Sequence, residues 1–140
     1  MLGDNRVVEI RELRPGDEEI VERLATREPR TALLGDPHAI FLVAFVDEEP
    51  RGFVLAYELL RRHGYEVTLC IYEIEVGEAW RRRGVATRLL LELERVARRR
   101  GIAEAFVLTD ADNGAAMRLY ESVGGKAQEV VEWDFDYTGD

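Results

Sequence analysis

The chain has 140 residues, 46% hydrophobic and 34% charged, a balance that reads as one folded domain, 1–140, and not as disorder. A net charge of −9 weighs against nucleic acid, whose phosphates demand a basic footprint, and suits a small cationic partner drawn in by an acidic field. The single cysteine, Cys70, excludes an intrachain disulfide. No His or Cys spacing suggests a metal, no apolar run reaches the roughly 18 residues of a membrane span, and Met1 to Arg6 lacks a signal core, so a cytoplasmic protein is expected.

Val7 to Leu13 alternates loosely and predicts a first strand. Arg14-Pro15-Gly16-Asp17 is a turn, with Asp17 placed to cap a helix carried by Ile20, Val21, Leu24 and Ala25. Pro29 ends that helix, and 30–37 reads as loop. The apolar run Ala39 to Val46 predicts a buried strand, 47–52 a turn with Pro50 and Gly52, and Phe53 to Leu59 the returning strand of a hairpin. After a turn at 61–64, Glu66 to Val76 predicts a long strand. A helix follows from Arg83-Gly84 to about Arg100, then a strand from Glu104 to Leu108 and a helix from Asn113 to Val123. Glu129 to Tyr137 predicts a last strand, with Val131, Trp133, Phe135 and Tyr137 on one face. The order β-α-β-β-β-α-β-α-β argues for a mixed sheet packed by helices, in the α/β (α+β) class.

The most informative segment is Trp80-Arg81-Arg82-Arg83-Gly84-Val85-Ala86-Thr87-Arg88. It follows a strand and opens a helix whose face Ala86, Leu89, Leu90, Leu93, Val96 and Ala97 has core spacing. The first turn of a helix offers unpaired N–H groups and a positive dipole end, which together favour an anion. Three arginines there oppose the dipole unless an anionic ligand offsets them. Gly84 lets such a ligand approach the backbone.

Arg81-x-x-Gly84-x-Ala86 resembles the R/Q-x-x-G-x-G/A signature of the GNAT superfamily of N-acetyltransferases, in which this loop cradles the coenzyme A pyrophosphate. Asn113-x-x-Ala116-x-x-Leu119-Tyr120-x-x-x-Gly124 resembles the family's second motif, in the family's order and at a typical distance. The likeness covers about Ala39 to Tyr137; Gly125 stands where the family commonly has an aromatic residue. It implies a GNAT fold, a mixed, mostly antiparallel central sheet of six to seven strands flanked by helices. It also implies acetyl-CoA as cosubstrate, with no metal, held by Ile74, Val76, Arg81, Arg82, Arg83, Gly84, Val85, Ala86, Thr87, Asn113, Ala116 and Tyr120. Within the superfamily, Ile71 to Val76, the Arg81–Thr87 loop, Val107-Leu108-Thr109-Asp110 and the tail Glu132-Trp133-Asp134-Phe135-Asp136 resemble the aminoglycoside 3-N-acetyltransferases. That implies an antibiotic-resistance activity and acidic acceptor residues at Glu73 and Asp110; from charge and apolar patterning no membrane or nucleic-acid partner is expected, and a homodimer is possible. Ala111-Asp112-Asn113-Gly114 departs from that group, which is more acidic there and carries a tyrosine.

Amide formation needs a group to deprotonate an ammonium, a site to hold the amine beside the thioester and an acid for the departing thiolate. Along Glu66–Val76 the odd positions Val67, Leu69 and Ile71 are apolar, and Glu73 and Glu75 follow at the same spacing, so a regular strand puts all five on one face. A bulge typical of the family would separate the two sets. Paired carboxylates bind an ammonium and raise one another's pKa. The candidate base is Glu73 or Asp110, and Tyr120 is the candidate acid, otherwise a core aromatic. Glu73, Glu75, Asp110, Asp134 and Asp136 are the candidate acceptor contacts. Asn113 either reaches the coenzyme arm or caps its helix. The alternatives are a polyamine or peptide amine as acceptor, or a non-catalytic acetyl-CoA-binding module.

Overall fold

The run Ala39–Val46 can satisfy its backbone only inside a sheet, and its seven buried side chains need cover on both faces. In the computed structural model, which describes residues 6–139, it is β2, between β1 (Val8–Glu12) and β3 (Glu49–Leu60). β4 (Val67–Val76) and β5 (Ala105–Val107) complete a five-stranded sheet in the order β1-β2-β3-β4-β5. All pairs are antiparallel except β4 with β5, which is parallel. The basis for expecting no signal core, Met1–Asn5, lies outside the described residues.

One face carries α2 (Val85–Arg99), whose Val85, Leu89, Leu93 and Val96 pack on Ile40, Leu42, Val54, Ala56 and Leu69. The other face carries α1 (Glu18–Leu24), with Val21, Leu13 and Leu34 over Phe41, Val43, Phe53 and Leu55. Truncating a fully buried member such as Leu89 to Ala removes apolar contacts on the order of 2–5 kcal/mol. The C-terminal end of α2 is fastened by Arg100, which donates to Glu58 at 2.8 Å, Glu12 at 3.1 Å and the Pro37 carbonyl at 3.2 Å.

Local details refine the sequence reading. The hairpin turn is only Asp47-Glu48, both at positive φ (53° and 66°), so β3 starts at Glu49 instead of Phe53. Pro50 is accommodated because the ladder shifts there, Ala44 facing Gly52 and Phe45 facing Pro50, with Arg51 as the extra residue. Asp17 does not cap α1 through its side chain; its Oδ2 accepts from the Arg14 N–H at 2.8 Å and closes the preceding turn. The expected last strand does not form, so the sheet has five strands and not six or seven. Residues 126–137 pair with no strand among the described residues, and Trp133 and Tyr137 are 77% and 87% exposed. Strand patterning states how a segment would pair, not that a partner edge is available.

Candidate active site

β4 and β5 are hydrogen-bonded only from Leu69 to Ile71 and from Ala105 to Val107. β5 ends at Val107 while β4 runs on to Val76, and a cleft of about 950 Å³ lies between the end of β4, the start of α2, the segment after β5 and α3 (Gly114–Ser122).

One wall is the helix entrance. Gly84 is the residue before α2, at φ +78°, and a Cβ there would meet no protein atom within 4 Å. The left-handed backbone, and not protein crowding, is what calls for glycine. No side chain caps α2 and its first turn has no acidic residue, so the leading N–H groups face the cleft unneutralised. The three arginines divide. The Arg81 Nε donates to the Val76 carbonyl at 3.0 Å and ties the loop to the end of β4. Arg82 takes φ +62° and lines the cleft, as does Arg81. Arg83 does not line it; its guanidinium lies 5.0 Å from the Trp80 ring centre, which also receives Arg6 at 4.6 Å and Arg51 at 5.3 Å.

The opposite wall is α3. Asn113 Oδ1 accepts from the Ala116 N–H at 3.0 Å, so it caps this helix, and its residue also borders the cleft. Tyr120 lines the cleft, and burial pushes its phenol above the ordinary range, which keeps the proton on at neutral pH. Gly125 donates to the Tyr120 carbonyl at 2.9 Å, and a Cβ on it would lie 2.9 Å from that oxygen. Glycine here tightens the end of α3 where the family pattern commonly has an aromatic residue.

The third wall is β4, and it differs from a regular strand. Leu55 of β3 faces Glu73 while Ala56 faces Ile71, so Tyr72 is an extra residue. The bulge reverses the phase. Ile71, Ile74 and Val76 pack on the α2 side, whereas Glu73 and Glu75 oppose Leu55 and Phe53 on the α1 side. Glu73 and Glu75 therefore do not share a face with Leu69 and Ile71. Partial burial, then the charge of Glu75, holds the Glu73 carboxyl above the usual carboxylate range.

Ile74, Val76, Val85, Ala86, Thr87 and Ala116 line the same cleft with Glu73, Glu75 and Tyr120. Asp110, Asp134 and Asp136 are not among its lining residues. Asp110 is exposed, and its carbonyl accepts from the Asn113 N–H. Asp136 accepts from the backbone and hydroxyl of Thr138, which lowers its pKa. Glu132 is raised by its hydrogen bond to Asp134 and then by that residue's charge. Tyr72, Trp80, Leu108, Thr109 and Arg118 line the cleft although none is among the candidate site residues. For Tyr72 a signal exists: the apolar phase changes from odd (67, 69, 71) to even (74, 76), which marks a bulge. Among the described residues no group of three or more His, Cys, Asp or Glu could hold a metal ion, and no helix is long and apolar enough to cross a membrane.

Residues 7–125 match the model of the acetyltransferase (GNAT) family. The chain belongs to that family. It is thus a GNAT acetyltransferase, with the mixed sheet and flanking helices of the fold. Comparison with curated protein sequences gives no match. Among solved structures, an aminoglycoside acetyltransferase from an uncultured soil metagenomic sample is 28% identical, with a TM-score of 0.83 over 94% of this chain and 99% of that one. A second soil metagenomic aminoglycoside acetyltransferase, in complex with sisomicin, is 22% identical, with a TM-score of 0.82 over 95% and 97%. AAC(6')-Iy with a bisubstrate analogue of coenzyme A and acetylneamine is 20% identical, with a TM-score of 0.77 over 93% and 98%. The last two likenesses concern the fold.

Proposed function

We propose that this GNAT acetyltransferase transfers the acetyl group of acetyl-CoA to an amine of an aminoglycoside, by direct attack in a ternary complex. The observation that carries the reading is the two-sided end of β4. Its backbone and the α2 entrance form an anion-accepting cleft, and the bulge turns Glu73 and Glu75 toward the α1 side. The residues fit the coenzyme: free helix N–H groups, Arg81, Arg82 and the open space over Gly84 suit a pyrophosphate. Ile74 and Val76, at the end of β4, flank the arm, with Ala116 and Asn113 opposite.

In this scheme Glu73 accepts a proton from the bound ammonium, for which its raised pKa suits it. The freed amine attacks the acetyl carbonyl carbon, the C–S bond of the tetrahedral adduct breaks, Tyr120 gives its proton to the departing thiolate, and the remaining surplus proton of the attacking nitrogen passes back to the Tyr120 phenolate as the amide forms. Glu75 holds a neighbouring ammonium; Asp110, Asp134 and Asp136 act from outside the cleft as a field that draws in a polycation. The resemblance at Val107–Asp110 points to the 3-amino group, while one structural neighbour carries the 6' designation. Thiol release measured on sisomicin, spermidine and an N-terminal peptide, with NMR of the product, tests both levels. Sisomicin preferred at low salt, with the preference shrinking as salt screens the carboxylates, is the expected result. A preferred peptide overturns the aminoglycoside reading. The exposed apolar alternation at Val131, Trp133, Phe135 and Tyr137 supports a homodimer in which this segment is covered. Light scattering of the full chain, compared with a chain ending at Lys126, tests that.

A further inference from the structure

The bulge in β4 does more than turn two carboxylates. Tyr72, its extra residue, is 64% exposed yet packs edge-on against Tyr57 of β3, ring centres 5.7 Å apart at 73°. Tyr57 belongs to the α1-side core, so Tyr72 stands on that side also, beside Glu73, and it lines the cleft. The two rings form a corner. Burial raises the Tyr57 phenol most, followed by the charges of Glu73, Tyr72 and Asp36, so two carboxylates lie in the neighbourhood of this corner.

A flat apolar wall with carboxylates at its margins has a specific complement. A saturated six-membered amino-sugar or aminocyclitol ring presents C–H groups on its faces and ammonium or hydroxyl groups around its rim. Its face lies against an aromatic ring while its rim reaches the carboxylates. An open-chain polyamine offers the same charges but no rigid face, and must freeze several bonds to cover the same wall. Carboxylates alone do not separate these two classes; an aromatic face does.

We propose that Tyr72, displayed by the β4 bulge against Tyr57, is the element that selects a rigid amino-sugar ring over a linear polyamine as acceptor. This rests on the acceptor reading above, and deepens it by assigning ring selectivity to one side chain.

The test is steady-state kinetics of the full chain with sisomicin and spermidine, at saturating acetyl-CoA. Tyr72→Ala raises KM for sisomicin about five- to tenfold, the scale of one lost aromatic contact. KM for spermidine changes less than twofold, and KM for acetyl-CoA stays the same. Tyr72→Phe keeps the wild-type ratio. Tyr72→Leu retains apolar bulk without a flat face and behaves as Tyr72→Ala, so a folding defect in one variant leaves the other informative. An unchanged sisomicin KM in both truncations, or an equal rise for both acceptors, overturns the inference while the acetyltransferase reading stands. A wild-type protein that acetylates neither compound overturns the acceptor reading and this inference together.

Discussion

The two sides of the β4 terminus are built from different materials. Toward α2 the cleft is made largely of backbone: the free N–H groups before Arg88, the left-handed Gly84, and a loop held by the Arg81 bond to the Val76 carbonyl. Toward α1 it is made of side chains: Tyr72, Glu73 and Glu75, with Tyr57 packed against Tyr72. A backbone site tolerates most substitutions and fails where φ or approach is constrained. A side-chain site changes with single residues but keeps its frame. Mutations on the α1 side are therefore expected to alter the acceptor and the pH profile, and mutations at the α2 entrance the coenzyme.

The largest effects are expected at the two proton-transfer groups. Tyr120→Phe and Glu73→Gln each lower kcat by about 10²–10⁴, the range of general acid–base catalysis, with the KM for acetyl-CoA nearly unchanged. Single-turnover measurements separate this from slow product release. Next is Gly84→Val. A branched residue at φ +78° costs about 1–2 kcal/mol or more and intrudes on the anion position, so coenzyme affinity falls about tenfold or more while sisomicin binding is spared. Calorimetry with coenzyme A reads it; unchanged affinity breaks the division into two sides. Asp110→Asn, outside the cleft, is expected to raise the sisomicin KM only about two- to threefold, with the effect lost at high salt. A fall in kcat equal to that of Glu73→Gln would make Asp110 the base instead.

The smallest effect concerns pH. The Glu73 carboxyl is raised by partial burial first and by Glu75 second. A raised base must lose its proton before it acts, so kcat/KM climbs with pH through a limb above the ordinary carboxylate range. Glu75→Gln removes the second cause, so the limb moves toward lower pH. The amine's own titration is common to both proteins and cancels in the comparison. A limb that stays in place separates Glu73 from Glu75.

The backbone-built half was largely legible in the sequence. Arg81, Gly84 and Ala86 sit where a strand ends and a helix begins, and Asn113 to Gly124 marks the facing helix. What spacing could not show is the separate fate of three adjacent arginines, because Arg83 is taken by the Trp80 ring, a partner set by tertiary packing. The side-chain half was legible as chemistry but not as geometry. Glu73 and Glu75 were visible as paired carboxylates, yet strict alternation placed them with Leu69 and Ile71. No glycine or turn residue announces the bulge; only the change of apolar phase does. The tail shows the opposite failure. Val131, Trp133, Phe135 and Tyr137 alternate well, but alternation is a local property and pairing is not.

The bulge at Tyr72 has a further consequence for chain length. In an ordinary strand, losing one residue turns every later side chain to the other face. Here the extra residue already sits outside the alternation, so a chain lacking Tyr72 still directs Ile74 and Val76 toward α2, and Glu73 and Glu75 toward α1. At the bulge, a deletion leaves the rest of the strand in phase. What the shortened strand gives up is the local bend that a bulge brings, so the end of β4 is expected to run closer to the segment after β5. Such a deletion is thus expected to yield a folded protein with a closed site, which makes the opening a property of residue count at this point in the strand.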